Sequence, residues 1–499
     1  MNPIRNISTL QESIWLTQHI YPQSTLFNVG GYAFIDGALQ LPHLIKAINL
    51  VLEGADVIER GYAIFNDIPF NENQEFVPCD MDIIDFFHHK QAEAECRRWM
   101  EQDMQQPFDV TKNLLKIRFI ITGESSCCWY TKVHHVLFDG YAMALFFNKV
   151  AELYTSYVKE VDAPALPGYA YADFIADEIE YKSTEQYGAD KQWWLQRLDG
   201  VATGSAFQSI VHAGGKTSMR SHRVERRISR QLFNAITAFC EHHHLTAFHY
   251  FVATLFALHK RYNNADELLL GIPIFNRNKK QFRETLGAFV NVFPFTTPIY
   301  SGMTFTALLK QVGGELKDCY RHQRFPLYDL LKARDQPGNI YNVAFSYQRT
   351  SYDTSLGNTS VFINYLPAPE QQEDLFFHLL EYTAGADLTF AVDYAAELFP
   401  SHVIENLIDH FEHLLQAALD TPLAAIQDLP YLSVEEEVQL LETFNISSPG
   451  YPSGETIISQ FEARVQATPD SIALVFEDCT LSYAVLNAHA NQLAHYLQA

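Results

Sequence analysis

Seven consecutive residues, His134-His135-Val136-Leu137-Phe138-Asp139-Gly140, concentrate the reactive side chains of this 499-residue chain. An imidazole has an unperturbed pKa near about 6.5, so it takes and gives protons at neutral pH. As a general base it speeds a reaction typically about 10²- to 10⁴-fold. Adjacent residues of a strand point to opposite faces, so the two rings do not easily share one metal ion. One histidine is expected to face a cleft and the other the interior, with an ordinary strand end as the alternative. Asp139 sits across a tight turn, where it can brace the loop. Gly140 permits a positive φ or a close backbone approach.

Elements on both sides must hold this turn. CCWYTKVHHV (Cys127 to Val136) reads as a strand that delivers the histidines, and YAMALFFNKVAELYTSYVK (Tyr141 to Lys159) as an amphipathic helix leaving the Asp-Gly break. LFNVGGYAFID (Leu26 to Asp36) and LKIRFIITG (Leu115 to Gly123) predict neighbouring strands, and LPHLIKAINLVLEG (Leu41 to Gly54) a helix ending on Gly. Beyond an irregular Pro- and Gly-containing stretch near residues 160–180, helices are predicted over Ser183 to Leu198 and in two successive runs from Arg230. A loop is expected around Ala213 to Ser218. Glu267 to Phe275 and Gly287 to Ile299 read as buried strands, with a helix following from Thr304. NVAFSYQRT, SVFINYLP and LTFAVDYA add three strand-like runs before the helix SHVIENLIDHFEHLLQAAL. The alternation is α+β, with two lobes expected at 1–175 and 176–430. A linker is expected over 431–455. The stretch 456–499 reads as strand, turn, strand, helix and is marginal for its own core, so it is expected to begin a longer domain.

Composition narrows the function. Thirty-five basic against 59 acidic residues leave a formal charge of −24. A chain so acidic is a poor prospect for coating nucleic acid or an anionic membrane. At about 150 residues per domain the length suggests roughly three units, and 47% hydrophobic residues supply sizeable cores. Seven cysteines form no CxxC pair, so neither a disulfide framework nor a zinc ribbon is expected. Cys127 and Cys128 read as packing. No stretch approaches a membrane span or a signal peptide, and a cytoplasmic setting is expected. No metal site is expected, and no Walker loop, GxGxxG, HExxH or nucleophile elbow occurs.

HHVLFDG resembles the HHxxxDG motif of condensation domains in nonribosomal peptide synthetases, and five further stretches agree in order. TLQESIWLTQ (Thr9 to Gln18) is similar to the family's opening motif. YADFIADE (Tyr171 to Glu178) resembles its Tyr-x-Asp-Phe motif, GAFVNVFPF (Gly287 to Phe295) its Gly-x-Phe-Val-Asn motif and RHQRFPLYDLL (Arg321 to Leu331) its His-Gln-x-x-Pro-Phe segment. RDQPGNIYNVAFSYQ (Arg334 to Gln348) resembles the motif that follows. The likeness covers about residues 8 to 430. Residues 431–455 resemble the linker to an adenylation domain, and 456–499 the first elements of one, without its nucleotide-binding motifs.

The resemblance implies two chloramphenicol-acetyltransferase-like lobes forming a V-shaped pseudo-dimer around a tunnel. Donor and acceptor carrier proteins would dock at its opposite ends, each inserting a thioester on a 4'-phosphopantetheine arm, with no cofactor held by the domain itself. It implies that His135 accepts the amine's proton or positions the amine, while His134 is structural. Asp139 is implied to hold the loop by pairing with Arg277, whose bare reading is a solvated loop charge. The same carry-over has Gly140 offer its N–H to the developing oxyanion, and Asn291 and Gln348 line the tunnel. Trp15 and Trp129 are expected in the core. With no carrier segment before the domain, the donor is expected from another protein or as a soluble acyl thioester.

The match has departures. Glu53 to Phe65 lacks the His-Glu of the family's second motif. Together with Trp129-Tyr130 ahead of the histidines, it is similar to the aryl-acid-accepting domains of siderophore synthetases. The DxxxxD of cyclising variants is absent, and the order of segments favours condensation over epimerisation. Rival expectations are another acyltransferase of the superfamily, acting on a free amine or alcohol, and a docking-only domain. His242-His243-His244 and His88-His89 read as solvated. The basic runs Arg220 to Arg230 and Arg277 to Arg283 read as solvated faces, or as surfaces greeting acidic carrier proteins.

Overall fold

The computed structural model describes residues 7–58, 60–65, 68–73, 76–78, 81–166, 168–201, 207, 216–334, 340–349, 355–383, 385–445 and 454–499. Parts of the sequence expectations lie outside them, chiefly Ala213–Gly215 of the loop, residues 335–339 after Arg334, and residues 446–453 of the linker. The chain divides into two compact units, Met1–Tyr431 and Leu432–Ala499. Among the described residues no helix is long and apolar enough to cross a membrane.

The first unit opens with α1 (Thr9–Ile20), β1 (Asn28–Asp36), α2 (Leu41–Glu53) and a ribbon of β2 (Arg60–Phe65) and β3 (Ile68–Asn73). Next come β4 (Asp82–Asp85), α3 (Ala92–Met104), β5 (Leu115–Ile121), β6 (Ser126–His134) and α4 (Gly140–Val158). It continues through α5 (Tyr171–Lys182), α6 (Glu185–Arg197), β7 (Ser221–Ile228), α7 (Arg230–His242), α8 (Ala247–Asn263), β8 (Leu270–Ile274) and β9 (Asn291–Phe295). The unit closes with α9 (Phe305–Arg321), α10 (Leu327–Ala333), β10 (Val343–Arg349), β11 (Ser355–Leu356), β12 (Thr359–Leu366), β13 (Leu375–Glu381), β14 (Leu388–Ala395) and α11 (Ser401–Asp420).

Two six-stranded sheets organise these elements, in the orders β11-β12-β1-β6-β5-β4 and β7-β14-β13-β10-β8-β9. In the first, β6 is buried along almost its whole length, and Trp129 packs at 4.5 Å from Phe147 of α4. Trp15 and Trp129 both lie in that core. In the second, α8 is buried from Tyr250 through His259, as a helix covered on all sides must be. There Phe390 of β14 stacks on Phe411 of α11 at 4.7 Å.

The lobes do not part at a single point of the chain. β12, which follows β10 in sequence, pairs antiparallel with β1 from Gly30↔Leu366 to Asp36↔Ser360, so a late segment completes the early sheet. Strands of period two carry no record of which sheet they join, and a division at residue 175 does not account for this exchange. Further strands escaped the reading by pattern, among them β2, β3, β4 and two of the second sheet. The basic run Arg220 to Arg230 contains β7, an edge strand paired with β14, and LFFHLLE forms β13 inside the second sheet.

The second unit holds α12 (Val434–Leu441), α13 (Ile457–Ala467), the hairpin β15 (Ile472–Phe476) and β16 (Cys479–Ser482), and α14 (Tyr483–Gln498). Each of α12, α13 and α14 begins on a Ser or Thr side chain that accepts a hydrogen bond from the first turn.

Candidate active site

Backbone pairing aims the two histidines. His134 ends β6 opposite Asn28 of β1, and its N–H donates to the Leu114 carbonyl at 2.9 Å. One residue on, the His135 N–H donates to the Phe27 carbonyl at 2.8 Å. The strand alternation therefore continues through the pair, and the rings leave on opposite sides.

His134 faces inward and is fully buried. Its Nδ1 accepts from the Val136 N–H at 3.2 Å, so the proton resides on Nε2 and is donated to Gln18 Oε1 at 3.1 Å. Burial, with His135 beside it, pushes its pKa down to about 3. A neutral imidazole with both nitrogens engaged holds the turn and has no free nitrogen to offer a substrate.

His135 forms part of the wall of a cavity of about 430 Å³. Its Nδ1 is enclosed without a hydrogen bond to any of the described residues, which leaves Nε2 as the nitrogen able to meet a substrate. Burial holds the ring below its ordinary pKa, against the opposing pull of its own backbone and of the Asp139 carboxylate. It is therefore unprotonated at neutral pH.

Asp139 caps α4, accepting from the Ala142 N–H at 2.8 Å. The same carboxylate accepts from the N–H groups of Phe289 and Val290 at 2.9 and 3.3 Å and from Arg277 Nη2. These partners engage both oxygens, so Asp139 acts on His135 only through the turn and through its field. The Arg277 side chain is not a solvated loop charge: it is fully buried. Its guanidinium donates to the carbonyls of Phe282, Thr285 and Gly287 and lies 3.8 Å from the centre of the Phe289 ring. The loop it organises passes tightly beneath α5, where a side-chain carbon on Gly287 would stand 2.2 Å from the Tyr171 ring.

Gly140 is the first residue of α4 and does not have a positive φ, so the left-handed conformation allowed for it is not used. Its N–H is one of the helix-start amides that have no partner within the helix. Its carbonyl accepts from the Tyr365 hydroxyl of β12 at 2.9 Å. Among the described residues, an added Cβ would meet nothing nearer than Gln348 Oε1 at 4.0 Å. The missing side chain thus keeps open the space between α4 and β10.

Gln348 lines the same cavity as His135 and Gly140. Asn291 does not. It lines an adjoining cavity of about 150 Å³, and its amide ties the chain before α10 through Gln323, Phe325 and Leu327. The two cavities share walls that include Leu10, Ser13, Val290 and Tyr341. A third, open cavity of about 860 Å³ shares Glu370 and Gln372 with the His135 cavity.

The family model described as the condensation domain matches residues 4–441. The chain belongs to the condensation-domain family. Condensation domains of nonribosomal peptide synthetases are acyltransferases that form amide bonds. Among its relatives are a linear gramicidin synthase of Brevibacillus parabrevis, 25% identical over 99% of this chain, and surfactin synthase subunit 1 of Bacillus subtilis (strain 168), 23% identical over 99%. The chain spans 6% and 14% of those proteins' lengths. The first condensation domain of the calcium-dependent antibiotic synthetase superposes with a TM-score of 0.77 at 18% identity, covering 86% of this chain and 99% of that one. The starter condensation domain of rhizomide synthetase gives 0.73 at 19% identity, covering 86% and 99%. The condensation-domain fold thus accounts for the first unit, with its two chloramphenicol-acetyltransferase-like lobes.

Sequence reasoning missed other residues of the condensation-domain cavity, among them His378 of β13, Asp393 of β14, Arg223 of β7 and Tyr365 of β12. They are single polar residues within apolar or charged runs. The signal available was a polar residue at an inward position of a strand, legible only once the inward face is known.

Proposed function

We propose that this domain joins a donor acyl or peptidyl thioester to the amine of an acceptor aminoacyl thioester, with His135 meeting the amine. Both substrates would arrive on phosphopantetheine arms of carrier proteins, with an adenylation domain following in the same assembly. The observation that carries the reading is the neutral His135 ring in a cavity walled by both sheets, beside the helix-start amide of Gly140. Alignment with the synthetases over 99% of the chain, past residue 441, supports reading the second unit as the start of an adenylation domain.

In this reading the amine lone pair forms the C–N bond at the thioester carbon. His135 Nε2 takes or orients the amine proton. The carbonyl oxygen gathers negative charge, and the Gly140 N–H at the start of α4 offers it a hydrogen bond. Such donors contribute about 10²- to 10³-fold. The C–S bond then breaks, and the proton released by the amine leaves with the thiolate. Asp139 and Arg277 hold the turn that carries both groups.

The test is reconstitution with loaded donor and acceptor carriers, or soluble acyl and aminoacyl thioesters, read by mass. His135→Ala is expected to abolish amide formation while folding and carrier binding persist. Unchanged turnover in that variant would overturn the role of His135.

A further inference from the structure

Four strands of the second sheet carry a continuous polar chain that the proposed chemistry leaves unused. Arg223 of β7 faces Asp393 of β14 in register, and Ser346 of β10 faces His378 of β13. Arg223 Nε and Nη2 donate to the two oxygens of Asp393 at 2.6 and 2.8 Å. His378 Nε2 lies 3.1 Å from Asp393 Oδ2, and its Nδ1 lies 2.8 Å from Ser346 Oγ. Gln348 Nε2 donates to the same Ser346 oxygen at 3.3 Å. Ser346, His378 and Asp393 are 5%, 7% and 6% exposed; Arg223, Asp393, His378 and Gln348 line the cavity wall, and Ser346 joins His378 to Gln348 behind it.

Chemistry gives this chain a direction. Arginine only donates. Burial alone would raise the Asp393 carboxyl, but the Arg223 charge and hydrogen bonds from Arg223 and His378 outweigh it and keep the group ionised, hence an acceptor. Burial keeps His378 neutral, so its single N–H points from Nε2 to Asp393 and its Nδ1 accepts from the Ser346 hydroxyl. The Ser346 oxygen then accepts from the Gln348 amide. Every link is set by the one before it. The amide nitrogen of Gln348 is turned towards Ser346, and Oε1 faces Gly140.

We infer that Arg223, Asp393, His378 and Ser346 are positioning residues that hold the Gln348 carbonyl oxygen as an acceptor for an N–H of the attacking amine, so that the domain favours primary over secondary amines. The inference rests on the amide-forming reading. A neutral primary amine has two N–H groups, one for His135 and one for Gln348. A secondary amine has one, and engaging His135 leaves Gln348 Oε1 buried under the substrate without a partner. An unmade buried hydrogen bond of this kind corresponds to a preference of roughly tenfold.

The test uses the full chain and an aminoacyl N-acetylcysteamine thioester that turns over, beside its N-methyl counterpart. The parent is expected to prefer the primary amine by roughly tenfold. Ser346→Ala and Gln348→Met are expected to collapse that preference by raising the KM of the primary-amine acceptor, with the donor KM unchanged. Ser346→Thr, which keeps the hydroxyl, is expected to restore it. A preference that survives in Ser346→Ala, or donor and acceptor KM rising together, overturns the relay. A parent that forms no amide with any thioester pair overturns the amide-forming reading and the relay with it, which separates the two failures. A readout independent of turnover is the Gln348 carboxamide in selectively ¹⁵N-glutamine-labelled protein, assigned as the pair absent from Gln348→Met. Its protons are expected to exchange slowly in the parent and at least tenfold faster in Ser346→Ala. Equal exchange in folded protein, with matching thermal unfolding, also overturns the relay.

Discussion

Arg277 Nη2 lies 3.0 Å from Oδ1 and 3.3 Å from Oδ2 of Asp139, a residue 138 positions earlier in the chain. This pair fastens the start of α4 to the loop before β9. It thereby fixes the turn that presents His135 and Gly140 to the cavity. Removing one partner of a buried ion pair costs about 3–5 kcal/mol, because the other charge is left uncompensated. Asp139→Asn and Arg277→Met are each expected to lower the unfolding free energy measured in urea by that order. The double variant is expected to lose less than the sum of the two. Strictly additive losses would show that the pair is not coupled.

Under the proposed role of His135, the pH dependence of turnover follows from its burial. Its pKa is held below the ordinary histidine value, so the ring stays unprotonated across the neutral range. The acid limb of kcat/KM is expected below about pH 6.5, the unperturbed value. A limb above that value that vanishes in His135→Ala would contradict the environment described for the ring.

Gly140→Ala separates stability from activity. The nearest atom to the new methyl group is Gln348 Oε1, at 4.0 Å, so the fold has room for it. Alanine also suits a helix better than glycine, by up to about 1 kcal/mol. The unfolding temperature is expected to hold or rise, while amide formation falls by at least about tenfold as the methyl group occupies the substrate's space. Single-turnover kinetics beside calorimetry would show the split. Full activity would mean that the opening at Gly140 is not used.

His134 makes stability depend on pH. The folded ring has a pKa of about 3, against about 6.5 in the unfolded chain. Above about pH 6.5 both states are neutral and the contribution is complete. As pH falls from there towards about 3, the unfolded chain takes up a proton that the folded chain does not, and stability is lost. Urea midpoints measured from neutral pH down to about pH 4 are expected to fall less steeply in His134→Asn than in the parent. Equal slopes would assign the pH dependence to other groups.

Much of this arrangement was legible before any fold was known. The strand ending at the histidines, the helix beginning after Asp139 and the opposite orientations of His134 and His135 follow from period-two alternation and a helix start on Asp-Gly. Arg277 and Asn291 show the limit of that reasoning. A lone arginine in a charged loop and an asparagine at a strand end look alike whether they face water or a backbone carbonyl. Here Arg277 is buried against three carbonyls, and Asn291 ties down the chain before α10 in a neighbouring cavity.

The reactive motif, the α+β alternation and the family likeness could all be read from the residues alone, because these depend on residue type and short-range spacing. It took the folded chain to show that β12 completes the first sheet, that Arg277 is buried against three carbonyls as well as Asp139, and that Ser346, His378 and Asp393 are linked to Gln348. Those relationships join residues distant in the chain through strand register and burial. Period-two alternation sets which face a strand buries, but which distant strands become neighbours follows from how whole sheets pack.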